Sequence, residues 1–293
     1  MRRVYSDPAT LLLFLTPALL IYFVFCLFPI LQSFWTSLYR WDILGTKTWV
    51  GLGNYSRMLN DDILLQSGYH IFILLGIILL FTIPAAFALS WMLSQKLLGT
   101  GFVRSLMYIP NLLSTVAVGT LWVYLYHNQY GVVNKVLAVL GIHAEGSLLA
   151  DPGTVLFAIG FVMAWQSIGF YIILFMVAIQ NIPQDIIDSA KVDGLNQWQR
   201  IRYILLPLMV PTLEISLVLL ITAAFKSFDY IFVLSNGGPN HASEVMSSYM
   251  YSVGFQHMDL GYGASIGLVL FVLCLIFTQI VTFFSNKREV AQY

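Results

Sequence analysis

Charge is what this sequence has least of. Only 10% of its 293 residues are Asp, Glu, Lys or Arg, against about 25% in soluble globular domains. With 59% hydrophobic residues and a mean hydropathy of +0.81, a water-soluble domain is excluded and the chain belongs in a bilayer. Neither sign of charge prevails, since 14 Lys and Arg balance 14 Asp and Glu, so no basic surface for nucleic acid is expected. Cysteine is equally scarce. Cys26 and Cys274 both fall inside apolar stretches, which points to small packing residues rather than a disulfide or a metal ligand set. The histidines His70, His127, His143, His241 and His257 are scattered without metal-ligand spacing. Neither H-E-x-x-H nor G-x-x-x-x-G-K-[ST] occurs, so no zinc protease site and no phosphate loop is expected, and the chain itself is not expected to hydrolyse ATP.

What is present is long apolar sequence. Six stretches reach the roughly 20 helical residues needed to cross a hydrocarbon core: Ala9–Leu31, Ile71–Leu93, Ser105–Tyr126, Thr154–Gln180, Pro207–Leu234 and Tyr262–Ser285. Their length and lack of period-2 alternation favour helices over barrel strands, because a helix satisfies its own backbone hydrogen bonds in lipid. The fold class expected is all-α, a polytopic bundle of six membrane helices forming one domain over 1–293. The first stretch is longer than a signal-peptide core and no small-x-small site follows Pro29, so it reads as a retained anchor.

Orientation follows from Lys and Arg. The N-terminus (Arg2, Arg3), the loop after the second stretch (Lys96, Arg104), the loop after the fourth (Lys191, Arg200, Arg202) and the C-terminus (Lys287, Arg288) hold most of them. The alternate, longer loops hold Arg40, Lys47, Arg57 and Lys135, and Lys226 lies inside the fifth stretch. The positive-inside rule then puts both termini and the loop after the fourth stretch in the cytoplasm. Asn54-Tyr55-Ser56 forms a sequon on the outer side, expected to be accidental in a bacterial protein.

That cytoplasmic loop, 183–207, carries the strongest functional signal. Pro183 suits the first position of a short helix, Asp185 its first turn, and Gly194 the left-handed position that ends it. Asn196 and Gln199 have capping-box spacing for a second helix, in which Trp198, Ile201 and Leu205 form an apolar stripe. In the first helix Asp185 and Asp188 share one face, while Ile186, Ile187 and Ala190 give an apolar side. Such a knob suits docking into a groove on a soluble partner; a well-capped connecting loop is the alternative.

The run Asp188-Ser189-Ala190, then Asp193-Gly194, then Ile204, Leu206 and Pro207 resembles the cytoplasmic signature of binding-protein-dependent ABC importer permeases, Glu-Ala-Ala, three residues, Gly, nine residues, Ile-x-Leu-Pro. Asp188 stands for the usual Glu and Ser189 for the first Ala. Downstream, Phe228-Asp229-Tyr230-Ile231 through Leu234-Ser235-Asn236-Gly237-Gly238-Pro239 resembles the Phe-Asp-x-Ile-x-x-Leu-Thr-x-Gly-Gly-Pro segment of the sugar-type members, with Ser235 for Thr. The resemblance, from about Ala9 to Ser285, implies a type I permease with a cytoplasmic coupling helix, whose ATPase-facing residues are Asp185, Asp188, Ser189, Ala190, Asp193 and Gly194. It also implies a second permease subunit, two ATPase subunits that bind ATP and Mg, an extracytoplasmic binding protein, a carbohydrate substrate, and residence in a bacterial or archaeal inner membrane. No cofactor is expected on this chain.

Ionisable groups inside a span are costly and commonly functional, which directs attention to Glu214, Lys226 and Asp229. Thr222, Lys226 and Asp229 share a helical face, and Lys226 and Asp229 have the spacing to pair, so a structural ion pair and a polar path wall are both open. Gln166, Ser167 and Phe170 in the fourth stretch combine an amide, a hydroxyl and rings, the groups a neutral sugar needs. By position in the resembled family, a substrate path is expected along Gln166, Ser167, Phe170, Ala223, Ala224, Phe225, Lys226, Ser227 and Asp229. Gly263-Ala264-Ser265-Ile266-Gly267 matches both G-x-S-x-G and G-x-x-x-G, and its place at the start of a membrane helix favours helix packing. The rival readings are an ion-coupled secondary transporter and a membrane-embedded enzyme using Ser265 or Glu214.

Overall fold

The computed structural model describes residues 8–42, 45–95, 99–141 and 146–289, with 8–11 and 284–289 described by backbone alone. Arg2, Arg3, Lys96 and His143 therefore lie outside the described residues, and Lys287 and Arg288 are followed only as backbone. Contacts group the chain into two units, one joining residues up to Asp61 with Met250–Phe271, the other joining Asp62–Tyr249 with the residues from Val272 onward.

In the first unit α1 (Pro8–Tyr22), a π-helical turn over Phe23–Leu27 and α2 (Phe28–Ser37) make one span. Its side chains, Leu13, Phe14 and Phe25 among them, stay exposed, as lipid-facing or partner-facing residues do. Cys26 is exposed on this span rather than packed, and Cys274 is half-buried; both are free. A hairpin of two-residue strands, β1 (Tyr39–Arg40) and β2 (Thr48–Trp49), with a single bridge between Asp42 and Asp259, departs from all-α among the described residues. α3 (Gly53–Met58) follows. Its Asn54 is buried, and Nδ2 donates to the carbonyls of Ser37 at 2.7 Å and Tyr39 at 2.9 Å, so the sequon is closed to modification. Arg57 pairs with Asp259 at 2.7 Å, and the Tyr262 hydroxyl donates to Asp61 at 2.7 Å. These bonds tie the segment after the first span to the start of the last helix. There Gly263 lies against the backbone of Gly254, and the buried Ser265 hydroxyl donates to the Tyr262 carbonyl at 2.7 Å. The packing reading of this motif therefore holds, and no nucleophile elbow exists there.

The second unit is built on α4 (Asp62–Ser94). It continues through α5 (Thr100–Leu112), α6 (Thr115–Leu125), α7 (Val132–Val139), α8 (Val155–Gln180), α9 (Gln184–Val192), α10 (Gln197–Arg200), α11 (Leu206–Leu208), α12 (Val210–Phe225) and α13 (Phe228–Leu234). α14 (Met246–Tyr251) and α15 (Leu260–Glu289) close the chain. α4 and α8 pack along their length, burying Ile71, Leu74 and Ile78 against a face that includes Ile159, Ile172 and Phe175. Gly169 lets α8 approach the backbone of Met107 in α5; any Cβ there would overlap the Met107 carbonyl.

Two of the six expected spans are not continuous. Among the described residues four helical segments are long and apolar enough to cross on their own, and two bent pairs bring the number to six when each pair is taken as one span. The third stretch breaks at Leu113–Ser114, where α5 and α6 meet at 97°; Ser114 turns extended and its hydroxyl caps α6 by accepting from the Ala117 N–H at 3.2 Å. The fifth bends by 67° at Met209, just before Pro211 in the first turn of α12, because proline has no N–H to continue the ladder. A second break falls at Lys226, the non-helical C-cap of α12, before α13 resumes at Phe228. The helical face expected to carry Thr222, Lys226 and Asp229 is therefore interrupted, and no ion pair joins Lys226 to Asp229 among the described residues.

Candidate functional site

The loop 183–207 is built as a stiff elbow. Pro183 is the N-cap of α9, one position earlier than expected, with Asp185 in the first turn. At the other end Gly194 adopts φ +78°. The Gly194 N–H donates to Lys191 O at 3.1 Å and the Leu195 N–H to Ala190 O at 3.0 Å, the paired bonds of a Schellman cap. Asn196 starts the next helix with both arms of a capping box: Asn196 Oδ1 accepts from the Gln199 N–H at 2.9 Å, and Gln199 Oε1 accepts from the Asn196 N–H at 2.8 Å. Helix end and helix start are thus separated by four residues, Asp193 to Asn196, and the N–H of each is met within this segment of chain. Ile201 and Leu205 are buried beneath the elbow.

Asp185, Asp188, Ser189, Asp193 and Gly194 are exposed on it. Asp188 is exposed and bonded on its own helix, accepting from Lys191 Nζ at 2.7 Å and from Gln184 Nε2 at 3.1 Å. The Lys191 bond first, then the Gln184 bond, hold its carboxyl below the ordinary aspartate range. Ser189 donates to the Asp185 carbonyl at 2.8 Å. Two expectations about the apolar residues are corrected. Ala190, 4% exposed, packs inward and is not part of an outward apolar side. Trp198 is 80% exposed and leaves the stripe that Ile201 and Leu205 keep, so with Val192, 88% exposed, it offers apolar surface on either side of Gly194.

The nine path residues differ in exposure. Phe170, Ala223, Lys226 and Asp229 are exposed, while Gln166, Ala224, Phe225 and Ser227 are buried and Ser167 is intermediate. Ala224 and Phe225 are turned into the protein, Phe225 with its ring centroid 5.9 Å from that of Phe277. The Ser167 hydroxyl bonds back to the Met163 carbonyl at 2.8 Å. Gln166, 5% exposed, is committed at both ends of its amide: Nε2 donates to the Leu113 carbonyl at 3.0 Å, and Oε1 accepts from the Tyr230 hydroxyl at 2.9 Å. The break in the third span frees the Leu113 carbonyl, and Gln166 answers it while holding α13 through Tyr230.

A further polar cluster was not apparent from sequence. Glu244 is buried; its carboxylate accepts from Ser248 at 2.7 Å and faces His241 Nδ1 at 3.0 Å, and its carbonyl lies 2.7 Å from His70 Nδ1. Gly237, at φ +81°, leaves the room that the Glu244 carboxylate occupies. The sequence signal was the Gly-Gly-Pro turn itself, whose compactness needs an internal partner.

Residues 83–290 match the family model described as "Binding-protein-dependent transport system inner membrane component". The trehalose/maltose transport system permease protein MalF of Thermococcus litoralis is 33% identical over 278 residues, covering 94% of this chain and 92% of that one. The multiple sugar-binding transport system permease protein MsmF of Streptococcus mutans is 28% identical, covering 94% and 95%. Among solved structures, a chain of a bacterial alginate ABC transporter in complex with an alginate pentasaccharide-bound periplasmic protein matches with a TM-score of 0.83 at 24% identity, over 98% of each chain.

Proposed function

This chain belongs to the family of binding-protein-dependent transport system inner membrane components, and from that premise we propose that it is the membrane-spanning permease subunit of an ATP-driven importer for a carbohydrate. The cargo is handed over by an extracytoplasmic binding protein, and ATP with Mg is held on two partner ATPase subunits beside a second permease. The observation that carries this reading is the elbow itself: an exposed helix, closed at its C-terminal end by the Gly194 cap and followed at once by the Asn196 capping box, inserted between α8 and the bent entry to α12. Closure of the ATPases pushes on Asp185, Asp188, Ser189 and Asp193 of α9, while the inward Ala190 seats the helix on the protein. Because Gly194 and the Asn196 box leave no slack, the push passes through Ile201 and Leu205 to the 67° bend and moves α8 against α12. Alternating access about a mid-membrane site follows.

The carbohydrate assignment is supported by the sugar systems for which the similar permeases are named, and by exposed Phe170, Lys226 and Asp229, which give the path a ring and two polar groups. The loop is cytoplasmic and both termini lie on that side, by the Lys and Arg distribution. A secondary transporter would also use broken helices, such as those at Leu113 and Lys226. Uptake of labelled saccharides by cells expressing the complete system separates the two. Uptake that persists when the proton gradient is collapsed and stops when ATP is depleted supports the importer; the opposite pattern overturns it.

A further inference from the structure

Where α4 and α8 end, beneath α9, the second unit encloses a cavity of about 400 Å³. Among the described residues two cations line it, Lys191 and Arg200, with no carboxylate; Ser94, Gln95, Gln180, Gln184 and Gln197 add a hydroxyl and four amides. Arg200 Nε is buried without a hydrogen-bond acceptor, and a buried guanidinium N–H left unmet is costly. Lys191 is ion-paired at 2.7 Å with Asp188, which is outside the lining, and this uses one of the three donors of the ammonium, so Arg200 carries most of the unmet charge. The remaining wall is apolar, from Trp91, Ile187, Ile201, Ile204 and Leu205.

Such a lining calls for an oxyanion with several acceptor oxygens attached to something apolar. Guanidinium and ammonium groups recognise phosphate. The cavity also sits at the ends of α4 and α8, two helices long and apolar enough to cross a membrane, and lipid headgroups gather where such helices leave the hydrocarbon core. We propose that this cavity is a phosphate-binding site filled by the headgroup of an anionic phospholipid, whose phosphate meets Arg200 and Lys191 and whose glycerol and upper acyl carbons lie along Trp91 and Ile201. Bound there, the lipid bridges α9 to the ends of α4 and α8, so it stiffens the elbow; this consequence rests on the coupling role proposed above. A soluble phosphate shares the headgroup chemistry but leaves the apolar wall uncovered.

The test uses the full chain, purified in mild detergent with the subunits that co-purify, and mixed with equal amounts of phosphatidylglycerol and phosphatidylcholine before native mass spectrometry. The expected result is retention of phosphatidylglycerol over phosphatidylcholine by about tenfold, the worth of one charge-assisted hydrogen bond. Arg200→Gln brings the ratio near parity, and Arg200→Lys restores part of it. Where Arg200→Gln does not assemble, Ser94→Trp, which fills the cavity from α4, lowers phosphatidylglycerol retention in the same way. Displacement of the lipid by millimolar inorganic phosphate supports the phosphate site but assigns it to a soluble anion. Equal retention of the two lipids by the unaltered protein, or a preference untouched by Arg200→Gln, overturns the proposal. The readout needs neither ATP nor sugar, so it stands or falls apart from the transport reading.

Discussion

Gln166 shows how a residue chosen for ligand chemistry can be spoken for by the fold. An amide among aromatic rings was legible in the sequence as a sugar partner, but its two hydrogen bonds go to the Leu113 carbonyl and the Tyr230 hydroxyl. Sequence could not show this, because the need for Gln166 arises from a carbonyl freed by a helix break some fifty residues earlier. Replacing Gln166 with Leu removes two part-buried hydrogen bonds, at about 0.5–1.5 kcal/mol each. The expected outcome is a lower unfolding temperature for the purified complex, with Tyr230→Phe giving a smaller drop. An unchanged unfolding temperature alongside weaker sugar binding would return Gln166 to the substrate path. Lys226 and Asp229 show the opposite case. Their spacing promised a pair, and the break between them leaves both exposed, as the path proposed above requires.

Among the elements, the elbow was the most legible, since caps are written in single residues. Gly194, Asn196 and Gln199 were identified by type and spacing alone, and each takes its expected conformation. The span breaks were harder to read, because hydropathy reports depth and not continuity. Pro110, Ser114 and Pro211 mark them, yet proline is tolerated inside membrane helices and continues within α4 at Pro84. Capping also makes the elbow testable as an element. Asn196→Ala removes one arm of the box at a cost of about 1 kcal/mol, about a fivefold rise in local opening. Limited proteolysis of the purified complex should therefore nick the segment around residues 193–196 about fivefold faster, with the membrane helices uncut. No change in nicking would mean that the elbow is held by something other than its caps. Packing at α5 and α8 is stricter: Gly169→Leu places a side chain on the Met107 backbone, and the expected outcome is loss of assembled complex, read by size-exclusion chromatography, with membrane insertion retained.

At the scale of the whole molecule, a chain so poor in charge places most of its polar sequence in loops, and the elbow is the segment where acidic residues, a left-handed glycine and two caps coincide. The account makes it the part through which nucleotide hydrolysis on partner subunits reaches the spans. The most direct measurement is sugar uptake and ATP hydrolysis by the complete complex in proteoliposomes, comparing the unaltered chain with Asp188→Arg and Gly194→Pro. Asp188→Arg reverses the charge on the exposed face of α9, and Gly194→Pro cannot adopt the φ of +78° found there. The account predicts that both variants insert and assemble, that uptake falls to background, and that binding protein loaded with sugar no longer stimulates hydrolysis. Uptake at the unaltered rate in either assembled variant would contradict it.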